Sequence, residues 1–432
     1  MAEATVADIV TEASELVAQA HAALENTEEG LADIQAHKAD PEAHAEVISA
    51  ALESNNTSAV PSAIGTDGTS LHGAVKNVAQ NTYSEIVLGS ASPVCGLARV
   101  AVGNGRGTWI QVNNDLQPVS LPKLYFEQHP VYAGISAGRC IVDGQIMQRI
   151  PKVYHKYVVP SAGALEGMLV RLIAPEAVDG FAPMPAFVTP SGELEQFWLG
   201  TYAGTDDGGV KVGSLPGNKP LVSLSFDVMR TRCEARNVDG VAGFRLWDVY
   251  QASVIQTLAA IEFGVTDMQM AIGRGRVDTS SANYVDEADV SQATWRGLVG
   301  LWGNVWQMVD GLRCSTAGYL EVFARDGSRA YVPTNIQPPA YDGTNPAFVA
   351  TFDDSYGDNF DLRDFYFPKT TTTNAALGST GDAYWGRSGG SGNVLYLGGV
   401  WTDAARAGLF CQYLHNAAAN AHASIGCRLA KV

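Results

Sequence analysis

Hydrophobic positions in the first 54 residues recur at alternating steps of four and three, which is the roughly 3.5-residue period of a coiled-coil seam. The positions are Val6, Val10, Ala13, Val17, Ala20, Leu24, Thr27, Leu31 and Ile34. A helix that is polar on its other faces cannot bury such a stripe alone, so the pattern predicts a self-associating helical region over residues 1–54. The alternative is a helix packed on its own globular domain.

Residues 55–84 lose this period and are rich in Ser, Thr, Gly, Asn and Pro, a composition typical of a linker. From 85 to 124 the pattern becomes strand-like, and EIVLGS, ARVAVG and TWIQVNN are separated by turn residues, which predicts a small β-rich connector. The string GNGRG at 103–107 lacks the Lys-Ser/Thr and the apolar helix that follow a phosphate-binding loop. A hairpin turn is therefore favoured there.

The region 125–432 mixes short strands with two predicted helices, so the fold class is α+β. RLWDVYQASVIQTLAAIEFG predicts the longer helix, because Leu246, Tyr250, Val254, Leu258 and Ile261 share one helical face and Gly264 follows. DVSQATWRGLVG predicts the second helix, and LWGNVWQMVDG at 301–311 predicts a core strand. Large apolar side chains are expected in the core at four positions of this region: Trp302, Trp306, Trp401 and Phe410.

The tail from 381 to 432 interleaves two kinds of residue. One set supplies turns, apolar anchors and a fixed cation: Gly398, Gly399, Trp401, Gly408, Leu409, Phe410, Leu414, Ile425, Gly426, Arg428 and Leu429. The other set shares no polarity, size or period: Val400, Thr402, Asp403, Arg406, Cys411, Tyr413, His415, Asn420, His422 and Ser424. Each of these lies beside an inward-pointing residue, so in-and-out alternation predicts an exposed surface held on a rigid scaffold.

Composition narrows the classes of function. The formal charge of -17 repels phosphate backbones, and no basic stripe offsets it, so no nucleic-acid partner is expected. Six scattered cysteines without a CxxC pair favour reduced thiols over a disulfide framework or a structural zinc. The N-terminus lacks a signal-peptide pattern, and no apolar run of about 18 residues exists, so neither export by such a signal nor membrane insertion is expected.

The tail resembles the variable region of proteins diversified by retroelements, whose frame reads GGxWxxxxxAGLFxxxLxNAAxxxxxxIGxRL. These proteins carry a C-type-lectin-like domain of the formylglycine-generating-enzyme type, to which GNVWQM at 303–308 is also similar. Variable codons of that family cannot yield Trp, Gln, Lys, Glu or Met, and between 402 and 430 only Gln412 belongs to this excluded set. A near-copy of the 381–432 coding region beside a reverse transcriptase would decide whether such diversification operates.

A second resemblance lies at 37–48, where HKADPEAHAEVI is similar to HxADPxAH segments of phage tail fibres. Together the resemblances imply a C-type-lectin-like domain over 125–432 with a variable region at 381–430, carried on a virion tail fibre made in the host cytoplasm. The implied partners are a protein or glycan receptor on the host surface, other tail proteins and two further copies in a homotrimer. The implied ligand-binding residues are Tyr384, Val400, Thr402, Asp403, Arg406, Cys411, Tyr413, His415, Asn420, His422 and Ser424.

Two other functions remain as alternatives. A retroelement-diversified protein on a bacterial surface would need an export or lipidation signal. An oxidase of the formylglycine-generating type would need paired catalytic thiols, and Cys427 lies between Gly and Arg, where the enzyme family has its cysteine after the Arg. A thiol copper site of Cys411 and Cys427 and carboxylate pairs such as Asp353 with Asp354 or Asp358 with Asp361 are further candidates. No catalytic residue, metal or cofactor is assigned.

Overall fold

A computed structural model describes residues 93–101, 108–340, 347–387 and 392–432. The predicted coiled coil at 1–54, the tail-fibre-like segment at 37–48, the linker at 55–84 and the turn at 103–107 lie outside these residues.

The described part is mostly β. In chain order, its elements are β1 (Cys95–Ala101), β2 (Thr108–Asn113), β3 (Pro118–Val119), α1 (Lys123–Gln128), α2 (Pro130–Ser136), β4 (Arg139–Val142), β5 (Gln145–Pro151), β6 (Tyr154–Val158), β7 (Val170–Ala174), β8 (Ala182–Pro183), β9 (Val188–Thr189), β10 (Gly192–Glu193), β11 (Gln196–Gly200), β12 (Thr205–Asp207), β13 (Lys211–Gly213), α3 (Phe226–Glu234), β14 (Phe244–Leu246), α4 (Val249–Phe263), α5 (Met268–Ala271), α6 (Ala288–Ser291), β15 (Trp306–Cys314), β16 (Leu320–Phe323), β17 (Tyr331–Pro333), β18 (Ala347–Phe352), β19 (Tyr356–Gly357), β20 (Phe360–Asp361), β21 (Pro368–Thr372), β22 (Ala383–Trp385), β23 (Val394–Gly398), β24 (Gly408–Tyr413), β25 (Ile425–Cys427) and β26 (Leu429–Lys431). Short 3₁₀ turns occur at Pro185–Phe187, Leu362–Asp364, Ala375–Leu377 and Ala404–Arg406.

Three sheets hold most of these strands. A nine-stranded sheet has the order β17-β16-β15-β23-β24-β22-β18-β21, with β25 added beside β15. A five-stranded sheet has the order β14-β26-β11-β5-β4, and a six-stranded sheet the order β3-β2-β1-β7-β6-β8. The chain's last two strands therefore belong to different sheets, which makes the tail a junction between them. No described helix combines the length and apolarity that crossing a membrane requires.

Two of the strands predicted in the connector, β1 and β2, lie in the described residues and join a larger sheet, whereas EIVLGS at 85–90 lies outside them. Strand β1 is hydrogen-bonded antiparallel to both β2 and β7. Its residue Ala98 packs in one apolar cluster with Val112, Val170 and Leu172. Strands from both sides of the predicted 124/125 boundary thus share one sheet and one apolar cluster, which buries a face that a strand pair alone would leave exposed.

Helix α4 ends at Gly264 as the sequence predicts, but it begins at Val249 rather than at Arg245, because residues 244–246 form strand β14. The Asp248 side chain accepts from the Gln251 N–H, the Gln251 side chain caps in return, and Gly264 ends the helix at φ 63°. The prediction of a single apolar face is wrong, because residues 249–261 are buried on all sides. Its polar side chains bind neighbouring main chain, as where Gln256 Nε2 donates to the Leu409 carbonyl at 2.9 Å.

The second predicted helix is short. Only α6 (Ala288–Ser291) is helical in the stretch 289–300. Arg296 and Gly297 then adopt positive φ of 43° and 87°, which closes a turn in which Trp295 and Leu298 bond to each other. The left-handed conformation of these two residues ends the helical path.

His129 lies at the N-terminus of α2 and is fully buried. Its Nε2 lies 2.8 Å from the Pro93 carbonyl, and its Nδ1 accepts from the Val131 N–H at 3.3 Å. An imidazole that donates through one nitrogen and accepts through the other is neutral, because the protonated ring cannot accept. Burial accordingly lowers the pKa of His129 to about 4.

We expect His129 to make folding stability fall as the pH decreases. The unfolded chain takes up a proton on this residue near pH 6.5, whereas the folded chain does so only near pH 4. Its contribution to folding stability is therefore complete above pH 6.5. About 3 kcal/mol of that contribution is lost as the pH falls from 6.5 to 4. His129→Asn keeps an acceptor for Val131 but does not titrate.

Urea unfolding at several pH values measures this effect. The difference in unfolding free energy between the wild type and His129→Asn should shrink as the pH falls from 7 to 4. A difference that stays constant across this range would show that His129 does not titrate as described.

Candidate functional site

The tail's frame residues are fixed by buried polar contacts. Phe410 N–H donates to Asp382 Oδ2 at 2.8 Å, and a Cβ at position 408 would collide with the same carboxylate, so only glycine fits there. Gly399 has φ 81°, and a Cβ there would lie 2.6 Å from the Ala407 Cβ. Close approach thus explains two of the frame glycines, Gly399 and Gly408, and the positive φ of Gly399 also favours glycine there.

Arg428 is the buried cation of the frame. Its Nε donates to Gln307 Oε1 at 2.9 Å, and its two terminal nitrogens donate to four main-chain carbonyls. These carbonyls belong to Gly200, Thr201, Val299 and Gly300. Burial lowers the pKa of Arg428 to about 9, which leaves the guanidinium charged at neutral pH.

The structure divides the predicted ligand-binding residues by exposure. Thr402 and His422 are exposed, and five others are partly buried: Arg406, Tyr413, His415, Asn420 and Ser424. The expected exposure is wrong for four residues that are buried: Tyr384, Val400, Asp403 and Cys411. One of the four predicted core positions also differs, because Trp401 is only partly buried, whereas Trp302, Trp306 and Phe410 are buried as predicted.

Val400 and Asp403 belong to the scaffold of the loop between β23 and β24. The Val400 N–H donates to Asp403 Oδ2 at 2.8 Å, and the Asp403 carbonyl accepts from the Arg406 N–H at 3.0 Å. Burial raises the pKa of Asp403, which shows how far the carboxyl is withdrawn from water. The same loop is tied to the body where the Ala404 N–H donates to the Val277 carbonyl.

Cys411 is buried because its strand is covered on both faces. Strand β24 lies between β23 and β22, and residues 408–412 are all buried. Burial raises the pKa of the Cys411 thiol, and so do the nearby charges of Asp403 and Asp382. In-and-out alternation produces an exposed face only when one side of a sheet meets water, and this strand does not satisfy that condition.

The prediction that Tyr384 belongs to the site is wrong by one residue along strand β22. It lies opposite Gln412, whereas its neighbour Trp385 lies opposite Tyr413. Tyr384 is buried and donates from its hydroxyl to the Pro339 carbonyl at 3.1 Å, whereas Trp385 is partly exposed. Successive side chains of a strand point to opposite faces, so Trp385 is the residue that belongs beside the predicted site.

Four rings form what we call the aromatic row: Trp306, Trp385, Tyr396 and Tyr413. Tyr413 stacks on Tyr396 at 13° with centroids 5.8 Å apart, and it contacts Trp385 at 5.9 Å and Trp306 at 5.2 Å. The rings meet because Tyr396, Tyr413 and Trp385 are direct cross-strand neighbours on β23, β24 and β22. The row runs from fully buried Tyr396 to partly exposed Tyr413 and Trp385.

Polar groups fix the open end of this row. The Tyr413 hydroxyl lies 3.3 Å from Asn416 Oδ1, and the His415 ring meets Tyr413 edge-on at 5.9 Å. The Val394 N–H in turn donates to the Asn416 carbonyl at 3.0 Å. Sequence reasoning missed Trp385, Tyr396 and Asn416, although two aromatic residues one strand away from Tyr413 were a usable signal.

The loop 414–424 has a fixed backbone and variable-looking side chains. Its carbonyls at Ala418, His422 and Ser424 accept from the N–H groups of Phe226, Ser223 and Trp306, at 2.9, 3.1 and 2.8 Å. The exposed His422 ring lies 2.7 Å from the Ser424 hydroxyl. Thr402 and Arg406 lie on the other loop, which is tied to residues 277 and 279, so the predicted residues that are at least partly exposed occupy two loops and the end of β24 rather than one strand face.

The other candidate sites reduce to local contacts. Asp354 pairs with Lys369 at 3.0 Å, and Asp361 pairs with Arg363 at 2.7 Å. The Cys427 thiol is hydrogen-bonded to the Cys233 thiol. Burial, together with this contact, raises the pKa of Cys233. Within the described ranges, no group of three or more His, Cys, Asp or Glu residues is arranged to hold a metal ion.

Comparisons with known proteins give structural neighbours only. No protein-family model matches the chain, and no curated protein matches it. Similar solved structures include variable protein 1 of Treponema denticola, at 12% identity and a TM-score of 0.31, over 66% of this chain and 94% of that one. Another is the P3c variant of Major Tropism Determinant, at 13% identity and a TM-score of 0.27, over 54% of this chain and 50% of that one.

PvdO from Pseudomonas aeruginosa is a third neighbour, at 11% identity and a TM-score of 0.27, over 67% of this chain and 95% of that one. The chain is thus similar to proteins of the kind that its tail resembles, and its mostly β architecture is compatible with a C-type-lectin-like domain. Similarity at this level carries no functional argument, so function has to be argued from the tail itself.

Proposed function

We propose that the chain is a receptor-binding protein of a phage tail fibre, which determines host recognition through a ligand-binding face that a retroelement diversifies. The observation that carries the proposal is the construction of the tail. A hydrogen-bonded frame holds two loops and the end of β24, where the side chains of Thr402, Tyr413, His415 and His422 are at least partly accessible.

Recognition on such a face needs no conformational change. The backbone of the loop 414–424 is held by main-chain bonds, which do not depend on the identity of its side chains. A side chain there can therefore change without refolding, and Tyr, Arg and His contribute strongly to contact energy. The Asn420 and Ser424 positions supply the small polar groups common in adaptable binding surfaces.

The proposal includes a homotrimer attached to other tail proteins through residues 1–54, on the virion. Three copies on one fibre would convert weak single sites into useful avidity. The helical seam and the tail-fibre-like segment support this arrangement, which stays a prediction.

The alternatives stay open with less support. A diversified bacterial surface protein would use the same face, and location in a phage tail is favoured by the segment at 37–48. For an oxidase, Cys427 would need to act with a second thiol. Its hydrogen-bonded neighbour is Cys233, and burial raises the pKa of that thiol and so disfavours the reactive thiolate. Thiol-specific labelling combined with an activity assay would test this alternative.

Exchange of exposed tail residues should change which bacterial strains are bound without changing stability. Thr402→Tyr and His422→Ser alter side chains that are exposed, so each should shift unfolding free energy by no more than about 0.5 kcal/mol. Tyr413→Ser should weaken binding the most, because truncating an aromatic hot spot costs about 2 kcal/mol or more, roughly thirtyfold in affinity.

Binding of the labelled full-length protein to a panel of bacterial strains measures the effect. Val159→Ser is the matched control, since Val159 is 57% exposed and follows β6 in the six-stranded sheet, which contains no strand of the tail. Unchanged strain preference in all three tail variants, or the same change in the control, would contradict the proposal.

A further inference from the structure

The loop 399–407 contains a residue in an unfavourable backbone conformation. Ala404 has φ 53°, in the left-handed region that residues with a Cβ rarely adopt. Such a conformation persists only where surrounding contacts hold it. Thr402 and Arg406 lie on either side of Ala404, two residues away along the chain, so its backbone conformation determines how both side chains are presented.

A side chain from outside the tail makes contacts that hold this conformation. Gln269, in α5, donates from its Nε2 to the Ala404 carbonyl at 2.8 Å and to the Ala407 carbonyl at 2.6 Å. These carbonyls belong to the first residue of the 3₁₀ turn Ala404–Arg406 and to the residue that follows the turn. An amide nitrogen carries two N–H donors, so both bonds can form together.

The orientation of the Gln269 amide is fixed by a further pair of contacts. Its Oε1 accepts from Arg274 Nη1 at 3.1 Å, and Arg274 Nη2 donates to Asp278 Oδ1 at 2.9 Å. The oxygen of the amide therefore faces a cation, and the nitrogen faces the loop. Hydrogen bonds thus run from Asp278 through Arg274 and Gln269 to the backbone of the loop.

The contacts of Gln269 do not depend on the side chains of the loop. Both acceptors are main-chain carbonyls, which every amino acid provides. Gln269 itself lies outside the region 381–432 in which we propose exchange. Exchange of Thr402 or Arg406 can therefore leave both hydrogen bonds intact, and a constant residue can hold a loop whose exposed side chains change.

We propose that Gln269 is a positioning residue, which holds the loop 399–407 in the conformation that presents Thr402 and Arg406. The inference rests on the proposed function for the statement that these two residues meet a ligand. The role of Gln269 in the loop rests on its own contacts. Gln269 acts through the main chain of the loop and not by touching the ligand.

Gln269→Met tests this role in the full-length protein, because Met has a similar length but no hydrogen-bond donor. Hydrogen exchange at the amides of 400–406 should become faster on the order of tenfold, the effect expected when a local contact loses two hydrogen bonds. Exchange in the loop 414–424 should not change. Gln117→Met is the matched control, since the Gln117 amide also donates to a main-chain carbonyl, that of Asp115, at 3.2 Å.

Ala404→Gly distinguishes positioning of the loop from a general structural role. Glycine adopts positive φ without the steric cost that a Cβ brings. Adding Ala404→Gly to Gln269→Met should therefore restore slow exchange at 400–406. The Met variant should also bind its preferred strain of the bacterial panel roughly three- to tenfold more weakly, and the double variant should recover most of that affinity.

Four results would overturn the inference. Exchange at 400–406 could be unchanged in Gln269→Met, it could rise equally throughout the three sheets, or the double variant could exchange as fast as the single one. The fourth result is strain binding that Gln269→Met leaves unchanged although Thr402→Tyr alters it.

Failure of the proposed function would give a different pattern. If hydrogen exchange responds to Gln269→Met and to its rescue as expected, but no tail exchange affects strain binding, Gln269 still positions the loop and the receptor-binding role is removed. If tail exchanges alter strain preference while exchange at 400–406 does not respond to Gln269→Met, the positioning role alone is removed.

Discussion

Replacing Arg428 by Met should cost about 4 kcal/mol or more of unfolding free energy, the largest effect expected of a single polar side chain in this protein. The guanidinium donates to four main-chain carbonyls and to Gln307. Met fills much of the same space but donates nothing, and the carbonyls remain buried. Each unsatisfied buried acceptor costs about 1–3 kcal/mol, so even partial relaxation leaves a large loss.

The position of these acceptors explains why the loss is global. Gly200 ends β11 in the five-stranded sheet, Gln307 lies in β15 of the nine-stranded sheet, and Val299 and Gly300 form the turn between α6 and β15. Arg428 therefore joins its own segment to two others that are far apart in sequence, 200–201 and 299–307. Domains of this kind are stable by only about 5–15 kcal/mol, so a loss of about 4 kcal/mol removes a large share of the total and should lower the urea midpoint strongly.

Urea unfolding followed by tryptophan fluorescence measures the change. Arg428→Lys is the informative companion, because an ammonium keeps the charge but has three donors where the guanidinium has five. The Lys variant should fold with an intermediate loss of unfolding free energy, so it can be measured even if the Met variant does not fold. A Met variant within about 1 kcal/mol of the wild type would mean that the carbonyls find other donors.

The sequence predicts elements well where a local signal determines them. Helix α4 ends at Gly264 as expected, because a left-handed glycine acts within one turn of chain, whereas its start at Val249 is set by the Asp248 capping box, which the apolar periodicity did not show. The stretch at 289–300 has comparable helical periodicity, yet Arg296 and Gly297 turn the chain there. Periodicity describes which side chains are apolar, and it does not report that a turn interrupts them.

The site was harder to predict because exposure depends on which element covers a strand. Alternation along β24 marks Cys411 and Tyr413 as equivalent, and only the loop 399–407 and the neighbouring strands distinguish the buried residue from the partly exposed one. Asp403 resembles a surface carboxylate in sequence, whereas its bond to the Val400 N–H makes it part of the loop's own scaffold. Such contacts join residues only after the chain has folded.

Phe410→Ala and Trp401→Ala should separate the two kinds of aromatic residue in the tail's frame. Phe410 is fully buried, and its ring meets Tyr366 edge-on at 4.8 Å. Its truncation leaves a cavity under the central strand of the nine-stranded sheet and should cost about 3–5 kcal/mol. Trp401 is held mainly by main chain, since its carbonyl accepts from the Thr279 N–H at 2.8 Å, and its side chain is only partly buried.

Because that main-chain bond survives truncation, Trp401→Ala should cost less than half as much as Phe410→Ala. Both variants should bind the same bacterial strains as the wild type under conditions where they are folded, since neither side chain belongs to the proposed binding face. Midpoints of urea unfolding give the stability comparison, and the strain panel gives the binding comparison. Equal losses of unfolding free energy in the two variants would mean that Trp401 is a core residue, as the sequence pattern predicts. A changed strain preference in Trp401→Ala would mean that Trp401 belongs to the binding face.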